Sequence, residues 1–301
     1  MAIETPSTSP TATSGKNLLI TMGLNFFITV AEVVGGLLSG SLALISDALH
    51  NLSDGLAIII TYAALKLSRR PKTTRYTFGL KRAEILAAII NASSLIIISF
   101  FLIKEAIQRL NKPSPISGNL MLLVAFIGLA ANVAGTLLLK KGSTHNLNIR
   151  AAYIHLLSDA FSSLAVIIGA SLIMFFRVYW VDPLLTILIC LYILKEAYQI
   201  VKEAVDILMM SSPAGIKLEE IQQLIEKIPG VINVHHVHLW KLNEADTHFE
   251  AHIEVKDMAV SQTAEIQKRI SEELQQHYDI NHVTLQFECQ VCKKQEIIPR
   301  P

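Results

Sequence analysis

Six stretches of this chain are apolar over about 20 residues or more, and that pattern leaves little choice of fold. They run from about Leu18 to Leu38, Leu42 to Leu67, Ala83 to Ile107, Leu120 to Leu139, Ala151 to Phe176 and Leu184 to Met209. In hydrocarbon every backbone N–H and C=O needs an internal partner, so each run predicts a membrane-spanning helix. Composition agrees: 51% of the 301 residues are hydrophobic and 17% are charged, where soluble chains average about 25% charged. The net charge of +1 by itself says nothing about nucleic acid; the basic residues cluster in particular loops, and no nucleic-acid partner is expected.

The loops set an expected orientation. The second and third runs are joined by a segment carrying Arg69, Arg70, Lys72, Arg75, Lys81 and Arg82. The fourth and fifth are joined by a segment from Lys140 to Arg150 that holds Lys141 and a single histidine, His145. Excess Lys and Arg marks the cytoplasmic side, and six spans then place both termini there. Anionic-lipid contact is a second use for the same charges. Residues 1–16 are rich in Ser, Thr and Pro, lack the basic start and apolar core of a signal peptide, and read as a disordered tail. Residues 17–210 then form an all-α six-helix transmembrane domain.

After Ser211-Ser212-Pro213 the pattern changes. IKLEEIQQLIEKIPG and SQTAEIQKRISEELQQHY are amphipathic helices, and VINVHHVHLWKL, THFEAHIEV and HVTLQFE alternate as strands. The order helix–strand–strand–helix–strand predicts a small α+β domain over 211–292 with antiparallel pairing, followed by a tail at 293–301.

Two of the apolar runs carry the same motif. His50-Asn51-Leu52-Ser53-Asp54 lies in the second, and His155-Leu156-Leu157-Ser158-Asp159 in the fifth. A His and an Asp four apart share one helix face. Ionisable groups at membrane depth are costly and face a partner or a water path. Two His and two Asp brought together make four N/O donors, a set that suits tetrahedral zinc. The plain alternative is polar glue between helices, but two carboxylates in hydrocarbon call for a nearby cation. Asp47 lies one turn before His50, either as a carboxylate on the ion or proton route or as an interfacial cap. Glu32 in the first run either lines a cavity or bonds a neighbouring helix.

These residues and their surroundings resemble the cation diffusion facilitator family, in its bacterial cobalt–zinc–cadmium efflux branch. The matching stretches are SGSLALISDALHNLSDG, RYTFGLKRAEILAAIIN, NVAGTLLL, NIRAAYIHLLSDAFSSLAVIIGA, DPLLTILI and VHHVHLWKL. The resemblance implies a homodimer with a ferredoxin-like (αββαβ) cytoplasmic domain that binds metal and joins the protomers. It implies proton-coupled zinc export, with the transport site at His50, Asp54, His155 and Asp159. Zinc is then cargo and a regulatory ligand, with no prosthetic group; protons and membrane lipid are the other partners.

The C-terminal segment holds seven of the ten histidines. Strict alternation puts His236 and His238 on one strand face and His235 on the other. The resemblance implies a regulatory zinc site at His235, His252 and Glu288, with Gln286 where relatives have a further His and His282 as a nearby substitute. Cys289 and Cys292 form a lone CxxC, readable as metal capture with a neighbouring His.

Competing classes are a membrane metalloenzyme and a membrane metal sensor. No H-E-x-x-H occurs, and four protein ligands leave no open position for a reactive water. Cadmium and cobalt belong with zinc as candidate cargo, because N/O sites separate these ions poorly by affinity.

Overall fold

The computed structural model describes residues 12–140, 147–291 and 296–298. Among the described residues, six helices are long and apolar enough to cross a membrane. They are α1 (Ala12–Ser39), α2 (Leu42–Ser68), α3 (Ala83–Asn111), α4 (Gly118–Leu139), α5 (Leu147–Phe176) and α6 (Val181–Leu208). The expected tail at 1–16 lies outside the described residues up to 11; from Ala12 it is helix. No proline follows Pro10 until Pro71, and extending a formed helix needs no new nucleus. Helix α6 opens three residues before the expected Leu184, with Pro183 inside its first turn, where its missing N–H costs nothing.

The chain divides into two compact units, residues 12–60 with 90–199 and residues 61–89 with 200–298. In the first, small residues let the helices approach closely. A Cβ on Gly35 of α1 would stand 2.4 Å from Val124 Cγ2 of α4. Large apolar side chains such as Phe26, Phe101 and Phe161 face outward, as an acyl-chain environment requires.

Helix α2 starts with a cap supplied from far along the chain. Its backbone N–H groups at Leu42 and Ala43 donate to the Asp182 carboxylate at 2.9 and 3.2 Å. Ser41 Oγ also donates to Asp182 and accepts the Leu44 N–H at 3.2 Å. Three of the four orphan donors of the α2 N-terminus are thereby satisfied, and a negative charge meets the positive end of the helix dipole.

The second unit holds α7 (Leu218–Glu226), β1 (Val231–Lys241), β2 (Thr247–Val255), α8 (Val260–Tyr278) and β3 (His282–Glu288). The sheet order is β1-β2-β3. β1 and β2 pair antiparallel, whereas β2 and β3 run parallel. The all-antiparallel expectation is corrected here: α8 is a crossover, so it returns the chain to the end where β2 began. One sheet face, with Val234, Val237, Leu239, Phe249, Ala251 and Ile253, packs on Ile221, Ile225, Ile266, Ile270 and Leu274 of the two helices. The other face carries His235, His238 and Trp240 from β1, His248, Glu250 and His252 from β2, and His282, Gln286 and Glu288 from β3.

That assignment corrects the parity expected for β1. The register slips between His235 and His238, and His236 adopts φ +52°. One extra residue in the bulge puts His235 and His238 on the same face. The bulged backbone pairs with the returning C-terminal segment: His236 and Val237 donate to the carbonyls of Glu296 and Ile297 at 3.1 and 2.8 Å. Residues 296–298, read as tail, thus join the domain; 293–295 and 299–301 lie outside the described residues.

Candidate metal centre

Within the first unit, α2 and α5 bring their two motifs together. His50 Nε2 lies 3.7 Å from Asp54 Oδ2, and His155 Nε2 lies 3.5 Å from Asp159 Oδ2. Between the helices, His155 Nε2 stands 3.4 Å from Asp54 Oδ2. Adjacent donors on a tetrahedral zinc are about 3.3 Å apart when each bond is about 2.0 Å. The three contacts therefore have nearly the spacing of ligands around one ion. The Asp54 and Asp159 Oδ2 atoms are buried and, among the described residues, hydrogen-bond to nothing. Buried polar atoms are ordinarily satisfied, so two acceptors left facing imidazoles are ligand atoms that could hold a cation.

Exposure is graded across the quartet, from 4% for the Asp159 side chain to 40% for His155. A cavity of about 380 Å³, lined by His50, Ser158, Asp159 and Tyr192 among others, reaches the motif residues.

Asp47 sits elsewhere. It is buried, and its carboxyl is hydrogen-bonded to Glu32 of α1. Glu32 Oε2 in turn accepts from Asn51 Nδ2 at 3.0 Å. Gly128 of α4 makes room for this group, since a Cβ there would lie 2.9 Å from Glu32 Oε1. Glu32 thus bonds a neighbouring helix, and Asp47 is not the cap of α2; Ser41 and Asp182 are. Nothing local in the sequence ties Asp182 to Ser41, and its one signal there is an acidic residue in the stretch DPLLTILI.

In the C-terminal unit, His235, His252 and Glu288 offer ligand atoms all within 4.8 Å of one another. His235 Nε2 is 2.7 Å from Glu288 Oε1, and His252 Nδ1 is 3.3 Å from Glu288 Oε2. Asn233 Nδ2 donates to Glu226, which turns Asn233 Oδ1 toward His235 Nδ1 at 2.9 Å. Asn233 Oδ1 can accept the Nδ1–H of His235, which leaves Nε2, the atom facing Glu288, as the one to coordinate when a metal replaces the proton between them.

His282 stands apart from this group, beside His248 with ring centroids 4.2 Å apart. Trp240 stacks on His248, Phe78 meets it edge-on, and Lys81 pairs with nearby Asp246. Burial, and after it His282, holds the His248 imidazole below its ordinary value. Gln286 faces His252 across the strands. Cys289 is a free, exposed thiol, and Cys292 lies outside the described residues.

Two domain matches cover this architecture. Residues 18–209 match the cation efflux transmembrane domain, and residues 213–290 match the cation efflux protein cytoplasmic domain. The chain belongs to the cation efflux family. It is 38% identical to the zinc transporter ZitB of Escherichia coli (strain K12) over 96% of this chain and 92% of the relative. It is 37% identical to the cadmium, cobalt and zinc/H(+)-K(+) antiporter of Bacillus subtilis (strain 168), over 91% and 88%. The metal cation efflux system protein CzcD of Cupriavidus metallidurans is 36% identical over 93% and 88%.

Proposed function

We propose that this cation efflux protein exports Zn²⁺ in exchange for protons, holding the ion between His50, Asp54, His155 and Asp159. The convergence of two imidazoles and two carboxylates from α2 and α5, at near-ligand spacing, carries this reading. Neutral imidazole and ionised carboxylate bind the ion, and their protonated forms do not. Protons arriving from the far side therefore displace the metal, and histidine titrates in the range where this exchange can run. The relatives named for cadmium and cobalt support counting those ions among the candidate cargo. The His235, His252 and Glu288 group serves as a second, regulatory zinc position in a cytoplasmic domain that joins two protomers. Both termini lie in the cytoplasm, by the Lys and Arg of the loop at 69–82.

Zinc uptake into proteoliposomes across a set pH difference tests the reading, with Asp159→Ala as the comparison. Uptake that depends on the gradient and vanishes in the variant supports it. Uptake unchanged by Asp159→Ala removes the residue from the site, and metal binding without uptake favours a sensor. Zinc affinity is expected to fall steeply below about pH 6.

A further inference from the structure

Two of the histidines that neither centre uses, His236 and His238, lie at the β1 bulge. His236 sits there in a left-handed conformation that side chains other than glycine rarely adopt. Such strain persists only where the surroundings enforce it, and it concentrates at functional positions. Two backbone hydrogen bonds to Glu296 and Ile297 enforce it here. The result is to turn the His236 ring onto the polar sheet face, 5.2 Å from His238 at an interplanar angle of 66°.

Two imidazoles on one tetrahedral zinc have ring centroids about 5 Å apart, given a Zn–N bond of about 2.0 Å. His236 and His238 meet that distance. His236 lies flat on His252 instead, at 4.6 Å and 22°, so those two rings do not aim at a common ion. His252 stays with Glu288. A carboxylate lies alongside: exposed Glu250 is the cross-strand partner of exposed His238. Directly opposed residues have Cβ atoms about 4.5–5.5 Å apart, within the reach of a carboxylate and an imidazole toward one ion. A cavity of about 380 Å³ is bordered by His238, Glu250 and Ile298.

We infer that His236, His238 and Glu250 form an additional divalent-metal position on the outer rim of the C-terminal sheet, distinct from the His235–His252–Glu288 group. Two imidazoles and a carboxylate suit Zn²⁺ or a similar borderline cation, with water completing the shell. An ion there ties the bulge of β1 to β2, and through the stacked His236 and His252 rings it adjoins the inner group.

The test counts zinc bound to the purified full-length protein at equilibrium, in variants compared with the parent chain. His236→Gln with His238→Gln is expected to lose one equivalent. Glu288→Gln is expected to lose a different one, so that combining all three changes loses two. Differences between variants leave the membrane quartet out of the count, so the result is independent of whether that quartet carries zinc. His238→Gln alone, on an exposed side chain that tolerates change, is expected to weaken the rim position at least ~10-fold. Full parental stoichiometry in the paired histidine variant overturns the inference. So does a triple variant that loses no more than Glu288→Gln does.

Discussion

His155 reaches Asp54 on another helix as closely as it reaches Asp159 on its own, at 3.4 Å against 3.5 Å. The cross-helix contact makes the pair of motifs one centre rather than two. Asp54→Asn preserves shape and removes the charge that both imidazoles share. We expect zinc affinity at the quartet to fall by more than roughly 100-fold, since even residues one shell out cost 10–100-fold. Uptake should drop to the level of empty vesicles. Retention of more than half the parental uptake would sink the shared-centre reading.

Asp182 offers a test of how α2 is held. It accepts three hydrogen bonds from the start of that helix while almost wholly buried. Asp182→Ala strands the Leu42 and Ala43 N–H groups, at about 1–3 kcal/mol for each unmet donor. Thermal unfolding in detergent should show a large loss of stability, and Asp182→Asn a smaller one. If Asp182→Ala melts with the parent, the cap does not hold the helix.

Gly35 and Gly23 lie on the same helix with opposite surroundings. An added methyl at Gly35 meets the branched Val124 side chain at 2.4 Å, while nothing lies within 4 Å at Gly23. Gly35→Ala should destabilise by about 1–3 kcal/mol through overpacking. Gly23→Ala should be neutral or stabilising by about 0.5–1 kcal/mol, because it removes unfolded-chain freedom. Equal melting of the two variants would contradict the close approach of α1 and α4.

His248 gives the C-terminal domain a pH response of definite sign. Its folded-state pKa is lowered from 6.5, by burial first, then by His282, with Lys81 and Lys72 adding to the effect and Asp246 opposing it. The unfolded chain therefore takes up more protons than the folded one below about pH 6.5, and stability falls as pH drops through that value. The melting temperature should decline between pH 7.5 and 5.5, and less so in His248→Phe, which keeps the stacking on Trp240. Parallel declines in the two proteins would show that His248 is not the group responsible.

Much of this architecture is readable from residue order alone, for local reasons. The six spans follow from run length, and a spacing of four puts His50 with Asp54 and His155 with Asp159 on common helix faces. The features that escaped are those a local rule does not reach. The cap on α2 joins Leu42 to Asp182 across 140 positions. The parity of β1 failed at one residue, because a bulge leaves no clear mark in VHHVHLW. The direction of β3 depended on α8 acting as a crossover, where strand alternation is silent.

The backbone pairing that holds His236 also bears on how the protein is shortened for experiments. The match to the family's C-terminal domain stops at residue 290, and a chain cut there still contains every strand and helix of that domain. It would lack the two carbonyls, of Glu296 and Ile297, that receive the His236 and Val237 amides. Such a truncated domain would look intact by circular dichroism, yet relax its kink and scatter the imidazoles, so its metal count would understate that of the whole protein.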